Sequence, residues 1–208
     1  MIVDIKKCDM NHDYFHFTNR KNVDSILNNG LIPSIGAASQ LVGDSPNVSV
    51  SKGGKGIIGI INYFIYKFSK ELKVSEIPED YKKYFCEISD FEADSMISKE
   101  IACKAMTRKL KDEVFFRVRL NKGEIEKAKI GGLTGYDVNL PMMIDKSSLA
   151  IITDSDNKVL TAYEVARYVY ERAKNIEVFR NMHEEFFHMF EMRERSMSRE
   201  CEIDDGER

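Results

Sequence analysis

The sequence predicts an α+β domain. Residues 14–18, 47–51 and 113–120 alternate between two side-chain faces as strands do, and 148–153 is a short apolar run. Longer segments between them carry apolar residues at helical spacing. The order is not a regular βαβα alternation, which argues against a doubly wound parallel sheet. With 43% hydrophobic and 31% charged residues over 208 positions, the chain is ordinary globular material with enough length for one respectable core.

The first strand reads YFHFT. Side chains two apart share a face, so Phe15 and Phe17 lie on one side and Tyr14, His16 and Thr18 on the other. With the phenylalanines in a core, the polar pair meets solvent, a buried hydrogen-bond network or a ligand cleft. Thr18 or Asn19 then caps a helix that buries Val23, Ile26 and Leu27 and stops at Gly30. Residues 33–46 form a loop rich in Ser, Gly and Ala. NVSVS follows as a strand with Ser49 and Ser51 on one face. SKGGKG then opens a helix burying Ile57, Ile61, Phe64, Ile65, Phe68 and Leu72. Were the two strands neighbours, His16, Thr18, Ser49 and Ser51 would converge beside two helix N-termini, which favour an anionic group. Glycines at 53, 54 and 56 would admit a ligand close to the backbone. SKGGKG lacks the GxxxxGK[ST] spacing of a Walker loop, and read alone it is a helix-entry turn.

Residues 78–111 read as mainly helical with a break near Ser89 and Asp90. EVFFRVRL is a strand presenting Arg117 and Arg119 together, either to a phosphate or as a charged outer face. Residues 130–141, IGGLTGYDVNLP, read as a glycine-bearing loop. Thr161 and Glu164 form a capping box for a helix burying Val165, Ala166, Val169 and Ala173. Asn175 caps a last helix reaching about Ser198, whose Phe and Met residues pack on the domain or on a second copy. The expected organisation is a domain over 1–174, a helix over 175–199 for packing or oligomerisation, and a disordered tail over 200–208.

A net charge of −3 gives no global attraction to nucleic acid. Between Lys99 and Lys129, ten basic residues face five acidic ones, and from His183 onward nine acidic residues face four basic. This split would steer an anionic substrate or dock two copies head to tail, and it equally describes solvated helix faces. Four scattered cysteines suggest neither a disulfide framework nor zinc. HEEFFH departs from HExxH, since a separation of five puts His183 and His188 about 140° apart on a helix, so no metal is expected. The N-terminus has charges where a signal peptide is apolar. The longest apolar run, Ile57 to Phe68, is half a membrane span and includes Asn62 and Lys67. A cytoplasmic protein without membrane contact is expected.

An aromatic strand bearing H-x-T (His16, Thr18), a helix, a G-L-x-P exit (Gly30 to Pro33), a strand with Ser-x-Ser (Ser49, Ser51), a glycine-containing turn and an apolar helix follow one another. This succession resembles the N-terminal half of the ADP-ribosyltransferase superfamily, and within it the histidine-bearing branch of poly-ADP-ribose polymerases and RNA 2′-phosphotransferases. The resemblance covers residues 13–68, under a third of the chain. It implies a split antiparallel β core with flanking helices, here followed by a C-terminal helical appendage, and NAD as substrate in the cleft between the two halves. It further implies that His16 bonds the adenosine-side ribose, that Thr18 is its hydroxyl companion, and that Ser49 and Ser51 line the nicotinamide side. Tyr63 would be an aromatic wall there, or else a tyrosine packed at the core rim.

The family's late-strand glutamate, which stabilises the positive charge that develops on the sugar, has no counterpart between Gly132 and Thr153. Asp137 is the substitute, Asp145 the runner-up, and Asn139 can hydrogen-bond without carrying charge. The expected activity is cleavage of the nicotinamide glycosidic bond of NAD and transfer of ADP-ribose to a protein or nucleic-acid acceptor. Two alternatives stand beside it: a catalytically inactive nucleotide sensor of the same fold, and an interaction protein acting through its C-terminal helix, the same helix that would form a homodimer.

Overall fold

The computed structural model describes residues 1–34, 46–89, 91–130 and 137–192, with the side chains of 129, 130 and 137 outside that description. Among the described residues seven strands form one sheet: β1 (Ile2–Asp4), β2 (Tyr14–Asn19), β3 (Val48–Lys52), β4 (Glu113–Val118), β5 (Lys129–Ile130), β6 (Asp137–Leu140) and β7 (Leu149–Thr153). Their order is β1-β7-β4-β2-β3-β6-β5, antiparallel throughout except for β1 beside β7. The helices are α1 (Val23–Asn29), α2 (Gly53–Lys70), α3 (Glu79–Lys82), α4 (Lys99–Asp112), α5 (Lys122–Lys127), α6 (Ala162–Ala173) and α7 (Glu177–Met182), with helical backbone again over 184–192. The α+β class is the one the sequence predicts.

Both faces of the sheet are covered. The larger core lies under α2, α4 and α6 and gathers Phe15, Ile61, Phe64, Met106, Phe115 and Ile152. A smaller one lies against α1 and holds Ile26, Val48, Val50, Val114, Phe116 and Ile151. For that reason β4 does not show one polar face: Glu113, Val114, Phe115 and Phe116 are all buried.

The sheet has a weak seam. Strand β2 pairs with β4 over six residues, but with β3 only at Tyr14↔Lys52 and Phe15↔Ser51. Strand β3 pairs with β6 over four. A four-stranded part and a three-stranded part therefore meet along two residue pairs, just where His16 begins.

Helix α2 contains several glycines, which would weaken a free helix. Two of them let it dock. Gly53 has φ +65°, and a Cβ there would stand 2.6 Å from the Met10 carbonyl oxygen; a Cβ on Gly56 would stand 2.8 Å from that of Ser51. Gly30 ends α1 as expected, at φ +81° with its N–H on the Ile26 carbonyl. Asn19 caps a 3-10 turn before α1, accepting from the Lys21 N–H at 3.0 Å. The Thr161–Glu164 box also forms.

Three expectations are corrected. Residues 78–111 are not mainly helical: α3 is one turn, and α4 starts only at Lys99, where Ser98 caps it. The intervening chain is pinned by Val74 N–H to Ser95 O, Ser75 N–H to Ala93 O, and the two-pronged Arg108–Glu87 pair at 2.5 and 2.7 Å. In the segment read as a glycine loop, residues 137–140 are strand β6, and 131–136 lie outside the described residues. Asn175 does not cap a continuous helix, because α7 starts after Ile176 and stops at His183. The 184–192 segment takes its cap from elsewhere: Asn62 Oδ1 on α2 accepts from the Phe186 N–H at 3.1 Å. Phe186, Phe187 and Phe190 are buried in the larger core. The expected helix end and tail lie outside the described residues. Among the described residues no helix is long and apolar enough to cross a membrane.

Candidate functional site

The seam between β2 and β3 is held by a side chain where the backbone ladder stops. His16 Nδ1 lies 2.9 Å from the Ser49 carbonyl oxygen. A carbonyl only accepts, so Nδ1 carries the proton and Nε2 keeps its lone pair whenever the ring is neutral. Burial of the ring in the seam holds its pKa below the usual histidine value, opposed by the bond to Ser49 O. The neutral tautomer with an acceptor at Nε2 is thus fixed by the fold, and Nε2 has no partner among the described residues.

Thr18 follows on the same face of β2 and is largely buried. Its Oγ1 accepts from Asn22 Nδ2 at 3.2 Å, across the turn that leads into α1. One strand face therefore carries an acceptor nitrogen and, two residues on, a held hydroxyl.

The serines do not join them there. Phe15 is opposite Ser51, so Ser49 and Ser51 share the face of Phe15, while His16 and Thr18 share the face of Val48 and Val50. The expected convergence of four side chains is corrected by this register: the strands are neighbours, but the two pairs lie on opposite faces, and Ser49 reaches His16 through its carbonyl. Ser51 is buried against Gly56 at the start of α2. The Ser49 hydroxyl lies 2.7 Å from Asn47 Oδ1 and 2.8 Å from Asn139 Oδ1. It has one proton to give, so one of the two amides meets it with its NH2 group.

The first N–H groups of α2 are already taken. Gly53 and Gly54, which open α2, give their N–H groups to the carbonyls of Asp13 and Met10 at 2.8 and 2.7 Å. Tyr63 stands ten residues into α2, about 15 Å along its axis, with its ring edge on Phe64 and the Lys67 ammonium 6.0 Å above it. The structure does not bring it to His16. Asp137 pairs with Ser51 in the β3–β6 ladder, two strands from β2 and, by register with Ser51, on the sheet face away from His16; its side chain lies outside the described residues. Asp145 is committed to a turn, accepting from the Ser147 hydroxyl and N–H, which hold its carboxyl below the usual range. Arg117 is opposite Phe15, which puts it on the face away from His16, with Nε buried and unpartnered among the described residues.

Two features escaped sequence reasoning. Asn22 holds the Thr18 hydroxyl, hinted at only by their i to i+4 spacing; Asn139, named from the sequence as a hydrogen-bonding residue, meets the Ser49 hydroxyl between β3 and β6. Lys109 and Glu113 form a buried ion pair beneath Tyr81, Tyr84 and Phe17; their i, i+4 spacing was legible, their burial was not. Among the described residues no three metal-ligating side chains cluster. Compared with family models, with curated proteins and with solved structures, the chain matches none.

Proposed function

We propose that the seam between β2 and β3 binds NAD by its adenosine-side ribose and that the chain is an ADP-ribosyltransferase-like enzyme. The observation that carries this reading is the fixed His16 tautomer. Its Nδ1–H is spent on the Ser49 carbonyl and its Nε2 is left as an acceptor, which suits a sugar hydroxyl and not a phosphate oxygen. The two-pair seam supports it further, since a sheet that parts between β2 and β3 gives an extended ligand an edge to enter.

In the reaction, the bond between the nicotinamide nitrogen and the ribose carbon breaks, and its electron pair leaves with nicotinamide. Positive charge grows on the sugar until the acceptor's nucleophilic atom forms the new bond and gives up its proton. A carboxylate beside the sugar stabilises that charge. Asp137 is given this role as the substitute for the family's glutamate; its register position opposite Ser51 is on the sheet face away from His16, so the ligand has to reach it around the edge of the seam. The acceptor is a protein or a nucleic acid.

The binding-only reading has one observation in its favour: between Gly132 and Thr153 the chain offers aspartates, one carbon shorter than the expected glutamate. Release of nicotinamide from NAD, followed for wild type and Asp137→Asn, separates the two. Turnover that the substitution removes, with NAD affinity retained, supports the enzyme. NAD binding with no release from wild type leaves a sensor.

A further inference from the structure

On β2, His16 and Thr18 share a face with their Cα atoms about 7 Å apart. His16 presents an acceptor, since Nδ1–H is taken by Ser49 O. The polarity of Thr18 is set by a residue outside the H-x-T pattern. Asn22 Nδ2 donates to Thr18 Oγ1 at 3.2 Å, and among the described residues that hydroxyl has no other partner. With one lone pair occupied by Asn22, the hydroxyl proton is not spent on Asn22 and is left to be donated to a ligand. The face then offers one acceptor and one donor.

We infer that Asn22 is a positioning residue which holds Thr18 as a donor, and that the resulting acceptor–donor pair selects the vicinal diol of a ribose. One diol hydroxyl gives its proton to His16 Nε2 while the neighbouring oxygen receives the proton of Thr18. A 2′-deoxyribose has only one of the two hydroxyls and cannot satisfy both groups. This inference rests on the ribose-binding reading above and adds to it the residue that sets selectivity.

Asn22→Asp keeps the size of the side chain and reverses its hydrogen bonding. The carboxylate accepts the Thr18 proton, so Thr18 loses its role as donor to the ligand. Asn22 is exposed, and its side chain makes no capping bond to α1 although it occupies the N-cap position. Aspartate is also a favoured N-cap, so a merely structural role for Asn22 predicts an unchanged or more stable protein with unchanged binding.

The test is calorimetric titration of wild type, Asn22→Asp, Thr18→Val and the double variant with NAD and with its adenosine-side 2′-deoxy analogue. Wild type should prefer NAD by about tenfold, the worth of one hydrogen bond to a ribose hydroxyl. Asn22→Asp should lose that preference with its melting temperature intact, and should add nothing in the Thr18→Val background. Undiminished selectivity in Asn22→Asp overturns the inference while NAD binding by wild type upholds the ribose site. No NAD binding by wild type overturns both.

Discussion

Replacing Lys109 by methionine should destabilise the protein far more than replacing Lys109 and Glu113 together. Both side chains are buried, at 8% and 5% exposure, and they are ion-paired one helical turn apart. The Lys109 ammonium also lies 4.5 Å from the ring centre of Tyr81, 5.4 Å from Phe17 and 5.6 Å from Tyr84. Among the described residues, Glu113 already has one buried carboxylate oxygen without a partner. Removing the ammonium takes from the buried carboxylate its ion-pair partner and its hydrogen bond and leaves only the more weakly acting Lys83, a change that costs about 3–5 kcal/mol. For a chain of this length such a loss lowers the melting temperature by roughly 6–20 °C.

The pair Lys109→Met with Glu113→Leu removes both charges and should lie within about 2 kcal/mol of wild type. Burial raises the Glu113 pKa even with Lys109 present, and removing Lys109 raises it further. A carboxyl whose folded pKa lies above its unfolded one favours the fold below the unfolded value, and that advantage is lost as pH rises through the folded value. The deficit of Lys109→Met should therefore be small near pH 4.5 and grow toward pH 8. Urea and thermal unfolding followed by circular dichroism measure it. A Lys109→Met protein within 1 kcal/mol of wild type at pH 8, on the order of one ordinary surface change, would refute the reasoning.

Gly53→Ala puts a side chain at φ +65° against the Met10 carbonyl and should cost about 2 kcal/mol by the same assays. Asn62→Ala removes the cap of the 184–192 segment; a loss of about 1 kcal/mol and faster amide exchange at Phe186 are expected. His16 has a folded pKa below its unfolded value, so its contribution to stability is present above about pH 6.5 and is lost as pH falls through the folded value. Wild type should lose more stability than His16→Gln between pH 7 and 5.

What the sequence made legible was local. The alternation in β2, the stop at Gly30 and the Thr161–Glu164 box depend on neighbours within a turn, and each forms. The face on which Ser49 lies depends instead on its register with β2 across more than thirty residues, and a shift of one position reverses it. The helix break at His183 was likewise hidden, because Asn62, the cap for the next segment, is 124 residues away from Phe186. Arg117 and Arg119 alternate like an outer strand face, yet β4 lies between two cores, and it takes both helical layers to see that. The polar seam fared better. His16 and Thr18 stood out at once as polar groups on a strand otherwise made for a core, whereas the carbonyl that orients His16 has no signature in any side chain.

The most direct test of the proposed ribose site is calorimetric titration of the purified protein with NAD beside His16→Phe, which keeps an aromatic ring at the seam and removes the acceptor nitrogen. The account predicts saturable binding by wild type and a loss of at least tenfold in the variant, since on the proposed reading the lost nitrogen is the hydrogen-bond partner of the ribose. Equal affinity in the two proteins, or no binding by wild type, would contradict it and leave His16 as the side chain that closes the seam between β2 and β3.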